Sequence, residues 1–477
     1  MALHSEVKVL SPEEMDRVHQ GSLQILEETG VVFHADEALQ IFKENGFKVE
    51  GKTVFFSGPQ VEKALELCPS TYQFSARNPE RNVTVGDMVH KLQPAFGCVF
   101  VQEPGKERRK GTLEDYINYQ RLVQGSDLIP LAGGVPIVAD EIDPEVRHLH
   151  QMFASLKYTD KPLIGWAATQ RQTNEMLDMM EIAYGGKEML ESNYVLGSGI
   201  NPLSPLSYST ETLECVIANA KRNQVLLITP AAMAGITAPI DPLGTALLQN
   251  AETLACIVLI QLIRPGLPVV YAPASVVGYM KRASFCTGSP ESILINLVSL
   301  QLARDLYKIP TRTLTGHTDA KRSDYQAGME TMQSLLLSCI GGAEILTQAL
   351  GTLESYMTIS FGKFIMDEEM FSRCHRIQKG LDASTISQSI ALIQEVGSTG
   401  NYLTNPDTFK KFRSSWQPSA SDWDDHDTWH AQGAKDAMAK AHEIYEARMA
   451  EAAETFLDEA TEKALVEYMK KAEASRR

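Results

Sequence analysis

The amino-acid sequence predicts an α/β protein built on a (β/α)8 TIM-type barrel. From about residue 95 onwards, short apolar runs suited to buried parallel strands alternate with amphipathic helical segments. Eight such runs occur within roughly 250 residues, which is the number and spacing expected of this barrel. The sequence contains no GxGxxG or Walker-type loop. A doubly wound open sheet, whose nucleotide-binding members carry such loops, is therefore the less favoured alternative.

Predicted helical segments separate the eight predicted strands. The strands are expected at residues 97–101, 129–132, 162–166, 194–197, 225–229, 268–271, 311–314 and 343–347. The helices between them are expected at 113–123, 145–156, 173–183, 211–220, 244–263, 291–306 and 325–339. We therefore expect three segments: a helix-rich N-terminal segment (1–90), the catalytic barrel (91–410) and a helical C-terminal extension (411–477). Three of the four tryptophans lie in that extension, which indicates that it docks against the barrel or a partner.

The N-terminal segment opens with a strong helix-start signal. Ser11 is a capping residue, Pro12 takes the first helical position and Glu14 stands where a capping box places its carboxylate. The apolar positions that follow recur at helical spacing up to Gly30. Nothing in this segment carries recognisable chemistry, so we expect it to contribute packing.

The composition excludes several classes of function. A formal net charge of −16 opposes binding to nucleic acid and to anionic membrane surfaces. The seven cysteines are scattered without CxxC spacing, which predicts reduced thiols and neither a structural nor a catalytic zinc site. The first ten residues lack a basic and an apolar signal region, and the most apolar run, near 254–263, is typical of a buried helix. We expect a cytoplasmic protein.

The strongest functional signal lies in PTRTLTGHTDAKRSDYQAGME, residues 310–330. Arg312 falls in the predicted seventh strand, and His317 and Asp319 follow that strand directly. Ligands of α/β folds bind at the carboxyl ends of strands. Taken singly, each residue is also compatible with a structural role: Arg312 in an internal ion pair, His317 in a satisfied turn, Asp319 as a cap. Only their grouping favours a functional site.

Aromatic side chains stand at other predicted strand ends. They are Phe96 beside the first strand, Trp166 after the third, and Tyr356 and Phe361 after the eighth. The polar residues Gln348 and Glu354 also follow the eighth strand. Aromatic faces around a cavity attract quaternary ammonium groups by about 0.5–2 kcal/mol per contact. One aromatic per strand end is equally what ordinary core layering produces. The sequence shows no Ser-His-Asp order, no GxSxG, no HExxH and no evident close pair of catalytic carboxylates.

Several long runs resemble the trimethylamine methyltransferase family. They are NPLSPL (201–206), GITAPIDPLGTALLQNAETLACIVLIQLIRPGLPVVYAP (235–273), GSPESILIN (288–296), TGHTDAKRSDYQAGME (315–330) and LGTLESYMTIS (350–360). The resemblance covers nearly the whole chain. It implies a TIM-type barrel that transfers a methyl group from an amine to the cobalt of a cobalamin carried by a partner corrinoid protein. Archaeal trimethylamine enzymes of the family contain pyrrolysine, whereas this sequence uses only the standard twenty residues, which implies a member that acts on quaternary amines such as glycine betaine.

The resemblance also assigns expected roles. Phe96, Trp166, Tyr356 and Phe361 would cage a trimethylammonium group, and Arg312 with His317 would bind a betaine carboxylate. Asp319, Glu354 and Gln348 would orient those groups, and the carboxylates of Asp319 and Glu354 could add an anionic field near the cation. We expect no permanently bound cofactor, no metal ligands and a homo-oligomer.

Three alternatives stay open. One is a betaine-binding barrel without catalysis, and another is a different amine or methoxy:corrinoid methyltransferase. The third is a barrel of the uroporphyrinogen-decarboxylase-like group, whose zinc-using methyltransferases need ligand spacings that this sequence lacks.

Overall fold

The computed structural model describes residues 7–476, and seventeen α-helices lie within that range. In chain order they are α1 (Pro12–Glu28), α2 (Asp36–Glu44), α3 (Gly58–Glu66), α4 (Leu113–Gln124), α5 (Pro144–Tyr158), α6 (Gln170–Ala183), α7 (Lys187–Ser192), α8 (Thr210–Lys221), α9 (Pro242–Ile263), α10 (Pro290–Gln301), α11 (Tyr325–Ile340), α12 (Phe361–Gln378), α13 (Ile386–Val396), α14 (Pro406–Lys411), α15 (His426–Ala431), α16 (Ala437–Glu451) and α17 (Glu459–Ala474). A π-helical turn, Leu302–Tyr307, continues α10.

The same range contains twenty-one short strands. They are β1 (Val31–Phe33), β2 (Lys48–Glu50), β3 (Thr53–Phe55), β4 (Tyr72–Phe74), β5 (Val83–Val85), β6 (Lys91–Leu92), β7 (Phe100–Val101), β8 (Arg109–Lys110), β9 (Ala132–Gly133), β10 (Leu163–Gly165), β11 (Leu196–Ile200), β12 (Ser207–Tyr208), β13 (Val225–Ile228), β14 (Met233–Ala234), β15 (Val269–Tyr271), β16 (Val276–Tyr279), β17 (Ser284–Cys286), β18 (Arg312–Leu314), β19 (Ile345–Thr347), β20 (Thr352–Leu353) and β21 (Thr358–Ile359).

Eight of these strands form the predicted TIM-type barrel. Parallel pairing runs in the order β9-β10-β11-β13-β15, and a second parallel group runs β18-β19-β6. A bridge between Tyr271 and Thr311 joins the two groups. Within residues 7–476 no strand ladder links β6 to β9, so the hydrogen-bonded ring is not closed at that seam. One of the helices α4, α5, α6, α8, α9, α10, α11 and α12 follows each barrel strand in turn.

Apolar side chains fill the barrel interior. Ile164, Leu227, Val270 and Ile345 from four strands are buried in one cluster, which also includes the β4–β5 hairpin residue Phe74. Parallel strands covered on both sides are expected to be apolar throughout, as VLLI of β13 is.

The first predicted barrel strand is wrong. The sequence placed it at 97–101, but β6 is the first strand of the barrel, because Leu92 and Lys91 pair with β19. Phe100–Val101 instead belongs to a small rim sheet with β8, β20 and β21. The sequence pattern did not reveal β6 because it contains a charged residue, Lys91, and is therefore not an apolar run. The charge is buried in an ion pair with Glu344, with Nζ 3.1 Å from the carboxylate.

The long apolar helix α9 lies in the protein core. Its 22 residues are long and apolar enough to cross a membrane, yet 83% of its most apolar window is buried inside the protein. Helices α1, α2, α3, α8 and α10 pack around it.

The capping box predicted for α1 is present, with Ser11 and Glu14 bonding reciprocally.

The C-terminal extension docks on the barrel helices. Helix α16 packs against α12 and α4, and α17 packs against α5 and α6. The indole Nε1 of Trp416 donates to Ser372 Oγ at 3.0 Å, and the Arg373 guanidinium lies 4.3 Å from the Trp416 ring centroid. The predicted docking of this tryptophan-containing segment on the barrel is thus confirmed for Trp416.

Candidate functional site

A cavity of about 210 Å³ opens at the carboxyl ends of the barrel strands. Five of the residues singled out from the sequence line it: Phe96, Trp166, Arg312, Gln348 and Tyr356. The other lining residues are Ile164, Ala167, Gly199, Asn201, Leu227, Thr229, Ala231, Ala274, Phe285 and Leu314. Most of them are apolar, so a few polar groups determine what this inner cavity can bind.

Arg312 is the buried cation of the inner cavity. It is 5% exposed and begins β18, and its partners lie on or directly after three other barrel strands, β6, β13 and β19. Its Nε donates to Gln93 Oε1 at 3.2 Å, and its terminal nitrogens donate to the hydroxyls of Thr229 (3.3 Å) and Thr347 (3.2 Å). Both threonines donate their own hydroxyl protons to backbone carbonyls, which leaves lone pairs facing the guanidinium.

Every protein partner of this guanidinium is neutral. Among residues 7–476, no Asp or Glu forms an ion pair with Arg312. Burial lowers its pKa to about 9, so the group keeps its charge at neutral pH. A guanidinium has five N–H groups, and the three bonds above use three of them, which leaves one on each terminal nitrogen. A buried cation with two unused donors and no counter-ion is matched by a carboxylate ligand.

Aromatic rings form the wall between Arg312 and the cavity mouth. The guanidinium carbon of Arg312 lies 5.6 Å from the Phe96 ring centroid. Phe285 meets Tyr356 edge to face, with centroids 6.2 Å apart, and Trp166 lines the same cavity. Sequence reasoning missed Phe285 because it lies on β17, in a hairpin outside the barrel ladder. Its neighbours in sequence offered no strand-end signal.

Gln348 positions Phe96. Its side-chain Oε1 accepts from the Phe96 backbone N–H at 2.9 Å, and its Nε2 donates to the Phe96 carbonyl at 3.1 Å. Gly134 lies under the ring with φ +71°, and a Cβ there would come within 3.0 Å of the ring. The Phe96 ring is therefore held from both its backbone and its face.

Tyr356 ends a strained turn. Glu354, Ser355 and Tyr356 have φ angles of 52°, 53° and 72°, a left-handed conformation that costs non-glycine residues about 1–3 kcal/mol each. The Tyr356 hydroxyl is buried and has no hydrogen-bond partner among the described residues. Burial raises its pKa well above the usual value, so the hydroxyl keeps its proton. It is a free donor beside the cavity.

Asp319 stabilises this turn from outside the inner cavity. One carboxylate oxygen accepts from the Ser355 hydroxyl and from the backbone N–H (3.0 Å) and hydroxyl (2.8 Å) of Thr287. The other accepts from the Gly288 N–H at 2.9 Å. Burial alone would raise the pKa of Asp319, but these hydrogen bonds outweigh it and hold the pKa below its usual range. Asp319 thus links the turn carrying Tyr356 to the segment that follows Phe285.

A second, larger cavity of about 920 Å³ lies outside the first. Phe96, Phe285 and Tyr356 line both, so these three rings form the boundary between the inner cavity and this outer cavity. Asp319 and Glu354 line only the outer cavity. Glu354 forms an ion pair with Arg108 and accepts from the Thr358 hydroxyl at 2.6 Å, so its charge is already matched.

The structure does not bring the remaining two predicted residues to the inner cavity. His317 is 1% exposed, and its Nε2 donates to the Thr287 carbonyl at 2.8 Å. Burial lowers its pKa, so the ring is neutral, and it packs edge to face behind Tyr356 with centroids 5.9 Å apart. Phe361 stacks on Tyr445 at 4.9 Å and lines a separate surface cavity. Sequence order alone could not show that the Phe361 ring points away from the inner cavity.

The trimethylamine methyltransferase (MTTB) family model matches residues 2–476. The chain is 36% identical over 435 residues to the glycine betaine methyltransferase of Desulfitobacterium hafniense (strain Y51), covering 91% of this chain and 90% of that protein. It is 32% identical over 420 residues to the proline betaine:corrinoid methyltransferase of Eubacterium limosum, covering 85% of each. The monomethylamine methyltransferase (MtmB) of Methanosarcina barkeri shares the fold, with a TM-score of 0.56 at 10% identity over 94% of this chain and 88% of that chain.

Proposed function

Because the chain belongs to the trimethylamine methyltransferase (MTTB) family, we propose that it transfers a methyl group from a carboxylate-bearing quaternary amine to the Co(I) of a partner corrinoid protein. Glycine betaine or a betaine of similar size is the proposed donor. The observation that carries this choice is Arg312, a buried cation with two unused N–H groups and no carboxylate partner in the described chain.

The substrate orientation follows from the depth of each group. Arg312 lies within the barrel at the start of β18, whereas Phe96, Phe285 and Tyr356 lie at the boundary with the outer cavity. A carboxylate bound to Arg312 directs the trimethylammonium group toward these rings. Each aromatic face contributes about 0.5–2 kcal/mol to holding that cation. One methyl group then points at the outer cavity.

The transfer needs no proton movement by the protein. The C–N bond breaks with its electron pair left on nitrogen, so the leaving group is the neutral tertiary amine R–N(CH₃)₂, while the Co(I) of the partner supplies the pair for the new Co–CH₃ bond and becomes methyl-Co(III). Among the described residues that line the inner cavity there is no Asp, Glu, His or Lys, which is consistent with a reaction that needs no acid–base pair. The contribution of this chain is alignment and exclusion of water, since a methyl held in line removes much of the entropic barrier.

The cavity size favours a compact donor. Its volume of about 210 Å³ lies below the range of roughly 300–1,000 Å³ typical of sites for drug-sized ligands. We propose that the corrinoid partner approaches through the outer cavity of about 920 Å³. We propose that this partner supplies the cofactor, that the chain itself keeps none, and that the reaction takes place in the cytoplasm.

The test is a donor panel with purified protein and reduced corrinoid. Formation of methyl-Co(III) is followed by absorbance with glycine betaine, proline betaine, carnitine, γ-butyrobetaine, choline, tetramethylammonium and trimethylamine. We expect turnover with one or more betaines and little with choline or tetramethylammonium. Turnover with trimethylamine alone would exclude the betaine assignment. Calorimetric binding of a betaine without methyl transfer, to free cob(I)alamin or a corrinoid protein, would favour the binding-protein alternative.

A further inference from the structure

Residues 381–412, which we call the apolar arm, project from the base of the barrel. They connect α12 to the segment containing Trp416 and include α13 and α14. Every residue from 381 to 391 is exposed, and α13 contains no buried residue. The main packing contacts of α13 are with the 3-10 turn Ala383–Thr385 that precedes it. The arm therefore has almost no packing on its own chain.

The arm is nevertheless rich in large apolar side chains. Ile386, Ile390 and Ile393 recur at positions i, i+4 and i+7 and form one stripe along α13. The exposed fractions are 80% for Leu381, 58% for Ile386, 51% for Ile390, 57% for Ile393, 41% for Tyr402, 85% for Leu403, 77% for Phe409 and 49% for Phe412. At about 150–200 Å² per fully exposed side chain, they present roughly 750–1,000 Å² of apolar surface in total.

That summed area is comparable to one side of a standard protein–protein interface, about 800 Å² per partner. Exposed apolar surface on this scale marks a protein–protein interaction site. Helix α13 has 11 residues. An isolated helix of that length is marginal in water, because nucleation costs more than so few hydrogen bonds return. The arm needs a partner that packs against it.

The arm lies at the end of the barrel opposite the outer cavity, so the corrinoid partner is not the protein that packs on it. Helix α12 leaves the cavity side of the barrel and runs 18 residues, about 27 Å, to the opposite end. At that end Gln378 donates to the carbonyl of Cys339, near the C-terminus of α11. A protein that delivers cobalt to the outer cavity approaches the other face of the barrel.

Charge favours a second copy of this chain. The chain carries a net charge of −16, so most of its surface repels another copy. In residues 381–404 of the arm the charged side chains are only Asp382 and Glu395, and with Asp407, Lys410 and Lys411 the whole arm has three acidic and two basic side chains, a net charge of −1. Interface cores are depleted of charge in the same way. We propose that the apolar arm is the self-association surface, and that two copies pack their Ile386–Ile390–Ile393 stripes together about a two-fold axis.

The experiment compares the full-length protein with two single variants by light scattering after size exclusion and by analytical ultracentrifugation. Ile390→Asp places a charge in the stripe, whereas Ile240→Asp, whose side chain is 67% exposed away from the arm, is the matched control. We expect dimers for the wild type and Ile240→Asp. For Ile390→Asp we expect self-association at least about 100-fold weaker. Because Ile390 is 51% exposed and α13 contains no buried residue, the rest of the chain should keep its fold, and the circular dichroism spectrum should differ from that of the wild type by no more than the contribution of α13.

Hydrogen exchange gives a second, independent measurement. Amides of α13 should be protected in the wild type and should exchange rapidly in Ile390→Asp. A monomeric wild type at about 20 µM, or a dimer that Ile390→Asp leaves intact, would overturn the proposal. Rapid exchange of α13 in a wild-type dimer would also overturn it, because the arm would then lie outside the interface.

Discussion

Replacing Arg312 by methionine separates its proposed role in binding from any role in folding. Hydrogen bonds to a charged partner contribute about 1.5–3 kcal/mol each. Arg312 has two unused N–H groups for a carboxylate, so losing both should lower kcat/KM for the betaine by roughly 10²–10⁴-fold. Arg312→Lys keeps a positive charge but not the planar pair of donors. We expect it to lose roughly 10–150-fold, about one such bond.

The folded protein should tolerate the change. Methionine removes three hydrogen bonds to neutral partners, at roughly 0.5–1.5 kcal/mol each, together with the cost of burying an unpaired cation. These terms oppose each other, so we expect the free energy of unfolding without substrate to change by less than about 2 kcal/mol. Urea unfolding, read by circular dichroism, measures it.

The assay is the initial rate of corrinoid methylation with the betaine that the donor panel identifies. Affinity for tetramethylammonium, measured by inhibition of that reaction in the wild type and by calorimetry in the variants, is the control, because this ligand has the cation without the carboxylate. The variants should lose betaine turnover and keep tetramethylammonium affinity. Equal losses for both ligands would refute the carboxylate assignment and leave Arg312 as part of the barrel framework.

Three further substitutions test other parts of the site. Tyr356→Phe removes a buried hydroxyl that has no partner in the described structure. We therefore expect KM for the betaine to rise about tenfold while the free energy of unfolding stays nearly constant. An unchanged KM would show that only the ring of Tyr356 contributes to substrate binding. Phe285→Leu should raise the betaine KM by roughly 2- to 30-fold through the lost cation–π contact, whereas Phe361→Leu, in the separate cavity, is the matched control and should leave KM unchanged; equal effects would contradict the aromatic boundary. Asp319→Asn should lower the unfolding free energy at pH 7 by about 1–3 kcal/mol, because an amide cannot accept every hydrogen bond that the carboxylate accepts. Since folding depresses the pKa of Asp319 from 3.8, that stabilisation is present above about pH 4 and is lost as pH falls through the folded-state pKa. Acid titration of the wild type and of Asp319→Asn measures it. A difference in unfolding free energy between the two proteins that persists at low pH would contradict this pH dependence.

Local patterns determined much of the fold from the sequence. The alternation of apolar runs and amphipathic segments predicted eight strand–helix units, because burial on both faces makes barrel strands continuously apolar. Helix starts such as Ser11 and Asp324 depend on residues within one turn, so they are visible in sequence. The grouping of Arg312, His317 and Asp319 in and after one strand predicted a site at this end of the barrel, since the strands all end at the same face, although only Arg312 of the three lines the inner cavity.

Contacts between distant residues decided the rest. The partners of Arg312 lie 219, 83 and 35 residues away, so its lack of a counter-ion became visible only when the strands were assembled. Phe285 enters the boundary from a hairpin, while Phe361 turns toward Tyr445 on a helix of the C-terminal extension. Sequence determines which side chains a segment carries. Which of them face a common cavity depends on the packing of segments far apart in the chain, and only the tertiary structure provides that.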